Sequence, residues 1–308
     1  MSKTKKPALK AKQGPAAGFP KGHGASGISK GRPPLAKKPT AALSAEKTRQ
    51  LIRTHHQLNK ELAKAEALGD HEGATDLKKR IEAFGGLESY QQASIQGQAK
   101  DRGGDSSVIL MEWLKSISIP TRADSLSKLR LLEVGALSTK NACSKSGIFD
   151  IERIDLNSQA EGIKQQDFME RPLPSSDSER FDIISLSLVL NYVPDAEGRG
   201  EMLRRTCRFL RTETGTAPGN DTKTAFPALF LVLPAPCIFT SRYMNEERLT
   251  CVMAGLGYVL LRFKHTHKLM YTLWQLRDEP ALEDQSFPKK EVNPGGNRNN
   301  FSVVLRPS

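Results

Sequence analysis

The chain has few cysteines, no long apolar run and, across its first 45 residues, no acidic side chain at all. Each lack excludes something. Cys143, Cys207, Cys237 and Cys251 form no CxxC pair and no Cys/His metal spacing, so they build neither a zinc module nor a disulfide framework. They read as small, buried, reduced thiols of an intracellular protein. The longest apolar stretches, residues 183–190 and 228–233, fall far short of the ~20 residues a bilayer span requires. The N-terminus is basic but lacks the apolar core of a secretory signal. Neither a membrane nor a metal is an expected partner, and no Ser-His-Asp set stands out.

What is present is an uneven charge. The formal net charge is +12, and residues 1–45 supply nine Lys and one Arg of it. The remainder of the chain is close to neutral. A basic tail on a near-neutral body predicts attraction to a polyanion and serves equally as a nuclear or nucleolar address. A tail that only improves solubility is the plainer reading. Residues 1–43 also contain six Pro and six Gly with no hydrophobic period. Such a segment buries too little apolar surface to offset its ordering entropy, so it is expected to be disordered.

Residues 44–128 are expected to be a helical N-terminal region. Leu51, Leu58, Leu62 and Ala65 keep helical spacing, and Ala74, Leu77, Ile81 and Phe84 resume it after the break at Gly69. The pattern predicts an αα-hairpin over 44–84, stopped by Gly85-Gly86. His55 and His56 read as surface histidines, because neighbours in sequence point to different helix faces. Residues 87–113 are expected to be helical and irregular.

A different rhythm begins at Leu129. Apolar strands are predicted at 129–134, 151–155, 181–186 and 228–233, with helices around 197–210 and 246–255. Strands at 258–263 and 269–276, joined by a short turn, should pair antiparallel. Near-continuous apolar strands with crossovers imply an α/β, Rossmann-like domain over 129–277: a mostly parallel sheet with helices on both faces. Residues 278–308 form a polar, Pro/Gly-rich extension, with an edge strand expected at 301–305.

In a doubly wound sheet, ligands bind at the carboxyl ends of the strands where strand order reverses. The first strand runs into Glu133-Val134-Gly135-Ala136-Leu137, where Gly135 lets the backbone approach a ligand closely. The three-glycine pyrophosphate cradle is missing, which disfavours a nicotinamide dinucleotide. Asp155 ends the next strand, twenty residues after Gly135, where a carboxylate suits both hydroxyls of a ribose. Asp167 can accept from an adenine amino group while Phe168 contacts the ring. Ser187 and the run Leu188-Val189-Leu190-Asn191-Tyr192-Val193-Pro194 occupy the place of the reactive end of the ligand. The ordered set points to an adenosyl cofactor. Each member alone would be an ordinary turn or cap.

These stretches, with 86–94 and Arg298-Asn299-Asn300-Phe301, resemble a fungal nucleolar family that methylates adenine at ring nitrogen 1 in large-subunit (25S) ribosomal RNA. The similarity spans residues 45–306. It implies a Class I methyltransferase fold with S-adenosylmethionine as donor, a large-subunit rRNA or pre-ribosomal particle as partner, and the nucleus and nucleolus as location. Gly135 and Asp155 match the family's cofactor contacts, and Asp167, Phe168 and Ser187 match contacts in related proteins. Asn191 and Tyr192 are the candidate catalytic pair. The sequence departs from the Asn/Asp-Pro-Pro-aromatic motif of many amino-group methyltransferases, having Asn191-Tyr192-Val193-Pro194 instead. A non-catalytic S-adenosylmethionine sensor would share the same cofactor residues, although it has no use for ten unopposed tail charges. A small-molecule methyltransferase would also leave the tail unexplained. Arg204, Arg208 and Arg211 share one face of the helix after the motif and read as a solvated face, with phosphate contact as the alternative.

Overall fold

The computed structural model describes residues 45–85, 104–117, 128–158, 160–211, 225–277 and 286–307. The tail over 1–43, the run 86–94 and most of the stretch read as irregular helix lie outside these residues. Helices α1 (Ala45–Ala67) and α2 (His71–Ala83) form the expected hairpin. Among its described side chains, Leu58, Ala65 and Ala74 are buried. Asp70 starts α2 by accepting from the Gly73 N–H at 2.9 Å, which satisfies one of the donors a helix leaves open. His55 departs from the surface reading. It is half-buried, with Nδ1 3.0 Å from the Asn59 amide nitrogen.

A short helix α3 (Ser107–Leu114) precedes a seven-stranded sheet. Its strands are β1 (Leu129–Val134), β2 (Phe149–Asp155), β3 (Lys164–Gln165), β4 (Ile183–Ser187), β5 (Ala228–Pro234), β6 (Tyr258–His265) and β7 (Leu269–Leu276). Between them lie α4 (Ala142–Ser146), α5 (Ala196–Phe209), α6 (Pro236–Phe239) and α7 (Glu246–Gly255). Across the sheet the order is β3-β2-β1-β4-β5-β7-β6. The first five run parallel. β7 lies antiparallel to both β5 and β6, so the predicted hairpin enters the sheet with its second strand inward. This order, with one reversed strand next to the outer edge, is that of a Class I methyltransferase.

The residues explain the layering. β5 is apolar on both faces and is covered on both. One face packs Leu132, Ile184, Leu229, Leu231 and Trp274 against α5, α7 and the C-terminal residues Phe301, Val303 and Leu305. The other packs Leu131, Ile183, Phe230 and Leu273 against Leu110 and Leu114 of α3 and Cys143 of α4.

Three expectations need correction. Residues 301–305 are not an edge strand; only Leu305 makes a β-bridge, to Phe287. The segment is a strap across α5, whose side chains and backbone take up its polar groups. Val304 N donates to Ala196 O at 2.9 Å, and Arg199 Nη1 donates to Ser302 O at 2.8 Å. Secondly, the α5 arginines are neither a solvated face nor a free phosphate-binding row. Arg204 is buried and donates to Glu201 and to the Arg306 carbonyl. Arg211 pairs with Asp182 at 3.0 Å, and Arg205 donates to the Phe168 carbonyl at 3.1 Å. Arg208 alone of the three face residues is exposed. Thirdly, only Cys143 and Cys207 are fully buried, while Cys237 is half-buried and Cys251 exposed. Burial pushes both buried thiols up to about 12, so neither is a nucleophile near neutral pH.

Candidate active site

The strand order reverses between β1 and β4, and a cavity of about 230 Å³ opens at their carboxyl ends. Glu133–Ser138 of the β1 exit form its floor, Lys140 and Asn141 one side, Ser185 and Ser187 of β4 another, and Asp105–Ser107 the remaining wall.

Gly135 sits at φ +73°, a left-handed conformation that glycine adopts without a Cβ penalty. A Cβ there would lie 2.5 Å from Val189 Cγ2. The missing side chain therefore lets the β4 exit loop close onto the β1 exit loop. That second loop holds Leu188 at φ +59°, the one non-glycine in this conformation among the described residues. Such a conformation costs about 1–2 kcal/mol for an ordinary residue. It turns the chain sharply off β4 into a 3-10 turn over Leu190–Tyr192. Strain of this kind concentrates where a site needs the backbone held in one place.

Glu133 and Asn141 of this lining belong to a polar ring. Asn141 Nδ2 donates to Glu133 Oε1 at 2.7 Å, and Glu133 Oε2 lies 3.3 Å from Arg153 Nε. Arg153 Nη2 donates to Ser144 Oγ at 2.7 Å, and Ser144 donates back to Asn141 Oδ1. Asn141 is also the N-cap of α4. Burial raises the Glu133 carboxyl above its ordinary value, outweighing the opposing pull of Asn141 and Arg153, and Asp105 pushes the same way as burial. A folded-state carboxyl raised above its unfolded value adds most stability at low pH and loses it as pH rises through the folded value. Glu133→Gln should remove this dependence. The stability advantage of wild type over the variant should therefore shrink as pH rises from about 4.5 through mild acid, as read by denaturant titration at several pH values. A constant or growing difference would contradict it.

The candidates fall in different places. Glu133, Gly135 and Ser187 line the cavity. Asp155 ends β2 beside it, where Gly135 N donates to Ile154 O at 2.8 Å. Asp155 Oδ1 accepts from Asn157 N at 2.9 Å, and Asp167 Oδ1 from Met169 N at 2.7 Å, so turns at the same sheet edge hold both carboxylates. The Phe168 ring is a core residue. It is 2% exposed, lies 5.2 Å from Phe209, and does not line the cavity. Tyr192 is half-buried, with its N–H donating to Val189 O. Asn191 Oδ1 is buried and has no hydrogen-bond partner among the described residues. An unsatisfied buried acceptor is costly and calls for a donor that the described residues do not provide.

The sequence reading missed the wall at 105–107. Ser106 and Ser187 share a hydrogen bond of 2.7 Å across 81 positions of sequence. Asp105 Oδ1 accepts from the Ser107 N–H and hydroxyl, and its Oδ2 accepts from Ala142 N at 2.6 Å. The start of α3 thus ties α4 to β4. The available signal was Gly104-Asp105-Ser106-Ser107 ahead of an apolar run, the signature of a helix start. Lys140 and Asn141 were missed as well.

The family model described as 25S rRNA (adenine(2142)-N(1))-methyltransferase, Bmt2, matches residues 75–303. The chain belongs to the Bmt2 family. A relative from Saccharomyces cerevisiae, named 25S rRNA (adenine(2142)-N(1))-methyltransferase, is 38% identical over 231 residues. That match covers 74% of this chain and 63% of the relative's own length. A 25S rRNA adenine-N(1) methyltransferase from Schizosaccharomyces pombe is 38% identical over 259 residues, covering 83% of this chain and 91% of that one. Among solved structures, the 16S rRNA methylase RmtB aligns with a TM-score of 0.40 at 12% identity, covering 77% of this chain and 96% of that one. The Bmt2 match takes in every residue of the cavity, the Asn191 turn and the strap as far as Val303.

Proposed function

We propose that this protein transfers a methyl group from S-adenosylmethionine to ring nitrogen 1 of an adenine in large-subunit rRNA. The observation that carries the reading is Asn191: a buried acceptor with no partner among the described residues, on the 3-10 turn that follows the strained Leu188 at the end of β4, where the strand order reverses. Bmt2 membership supplies the substrate class, through relatives named for adenine-N(1) methylation of 25S rRNA.

The cleft suits the donor. Gly135 lets the β4 exit loop close onto the β1 exit that lines the cavity, Asp155 at the end of β2 would accept from the ribose hydroxyls, and Ser187 lines the side from which the chain runs on to Asn191. When bound, the donor supplies a methyl group already activated by its sulfonium. The protein's task is then alignment and exclusion of water. Ring nitrogen 1 carries a lone pair and no proton, so no general base is required. That lone pair is used in pairing, so the adenine must be unpaired or flipped out. Transfer leaves the base positively charged. Asn191 Oδ1 would accept from the exocyclic amino group, and this bond strengthens as the charge develops. Tyr192, half-buried and next to it in sequence, would stack on the base. A sensor that binds the donor without turning it over would have no use for this acceptor.

Two outcomes follow. Asp155→Ala should weaken donor binding by about 10- to 100-fold, the loss expected for hydrogen bonds to a charged group. Isothermal titration would show it, and an affinity within twofold of wild type would remove Asp155 from the donor site. Nucleoside mass spectrometry of reacted rRNA should find 1-methyladenosine. A product methylated on the amino group, or none, would overturn the reading.

The tail is part of the proposal. Its ten cations add a salt-sensitive, sequence-independent attraction to RNA and direct the protein to the nucleus and nucleolus. Removing residues 1–43 should release the protein from the nucleolus while leaving donor affinity intact. Undiminished nucleolar retention would contradict that role.

A further inference from the structure

The carboxyl edge that holds the cleft continues past β4. β5 ends at Pro234 and leads into α6, and Ala235 N donates to Lys268 O at 2.8 Å. The tip between β6 and β7 therefore sits beside the end of β5, on the same edge as Ser187 and Asn191. At this tip the His265 ring stacks on Phe239, with centroids 4.0 Å apart and planes 30° from parallel. Phe239 is half-buried against the core, which anchors the pair, while His265 is exposed. Phe263, two residues back and hence on the same strand face, is 42% exposed.

The charge around this pair is of one sign. Residues 248–277 contain no Asp or Glu, whereas Arg262, Lys264 and Lys268 lie on the outer strand and its tip. Among the described residues, the acidic group that approaches one of them is Glu112 of α3, 3.7 Å from Lys264 Nζ with both side chains well exposed. Arg262 and Lys264 alternate with Phe263 and His265 and so point to the opposite face of β6, whereas Lys268 lies at the tip beside the ring pair. Exposed aromatic rings with a cation at their end suit one ligand class above others: a single-stranded nucleic acid, whose bases stack and whose phosphates pair.

We propose that the β6–β7 edge binds the single-stranded RNA next to the target adenine. Bases stack on the Phe239–His265 pair and on Phe263, and a phosphate meets Lys268 at the tip. This rests on the rRNA reading above, and it adds what that reading lacks, a surface that holds the strand at the transfer edge. The cleft residues recognise donor and base; the hairpin supplies affinity for the flanking chain.

The test uses the full-length protein and unmodified, labelled large-subunit rRNA made by transcription. His265→Ala and Lys268→Glu should each weaken RNA binding about tenfold, with donor affinity, thermal stability and kcat at saturating RNA unchanged. Lys268→Glu should also flatten the salt dependence by at least about 0.7 in log–log slope, the contribution of one single-strand phosphate contact. His265→Trp should keep or improve binding, which a purely structural role for the imidazole would not predict. Lys78→Glu on α2, the same charge change elsewhere, should have a smaller effect. RNA affinities of His265→Ala and Lys268→Glu within twofold of wild type, in a protein that methylates rRNA, would overturn the proposal alone. If wild type transfers no methyl group yet the variants lose RNA binding as described, the surface stands and the proposed activity falls.

Discussion

Asn191→Ala should lower kcat by a factor on the order of 100 or more while leaving donor affinity within about twofold. The size is that of removing one preorganised polar group aimed at developing charge. The split follows from placement. Asn191 Oδ1 is buried without a partner among the described residues, so it is held ready for a group that arrives with the substrate. It does not line the cavity floor formed by Glu133–Ser138. Asn191→Asp keeps an acceptor of nearly the same shape and should retain more activity than the alanine variant. Single-turnover measurements at saturating donor would separate the two. A drop in donor affinity that accounts for the whole loss would make Asn191 a binding residue and end the case for its catalytic role.

Gly200→Ala should be the most destabilising single-methyl change in the described residues. A Cβ at this position of α5 would lie 1.8 Å from the Val304 carbonyl oxygen, a backbone atom that cannot rotate aside. The strap would have to lift. Its bonds to Ala196 N-terminal of the contact and to Arg199 beside it would go too. Overpacking against fixed backbone costs about 3 kcal/mol, or roughly 6–12 °C in Tm for a domain of this size. Alanine normally favours a helix over glycine, so propensity alone predicts the opposite sign. Differential scanning calorimetry decides between them. An unchanged or raised Tm would mean that the strap does not bear on α5 as described.

The sheet was legible because its strands are short apolar runs separated by polar crossovers. Residues 269–276 were read to the residue, and the turn before them set their antiparallel pairing. The β1 and β2 ends were legible as well, since Gly135 directly follows β1 and Asp155 closes β2, two paired strands with apolar ends. What failed was long-range. Helical spacing placed Arg204, Arg208 and Arg211 on one face, but nothing local says that a strap a hundred residues later covers part of it. Residues 301–305 are as apolar and β-branched as a strand, yet α5 claims backbone bonds a neighbouring strand would need. Phe168 sits in the right loop for an adenine contact, and its ring turns inward to Phe209 instead. The wall at Asp105–Ser107 depends on contacts with Ala142 and Ser187 that no window of sequence contains.

The central claim is that the cleft between the β1 and β4 ends passes its donor's methyl group to an rRNA adenine held at Asn191. The most direct test incubates the full-length protein with labelled S-adenosylmethionine and unmodified large-subunit rRNA, then maps blocked adenines by primer extension. The account predicts label in the RNA and a reverse-transcription stop at an adenine, both lost in Asn191→Ala while that variant still binds the donor. Donor binding by wild type with no label transferred and no stop would contradict it.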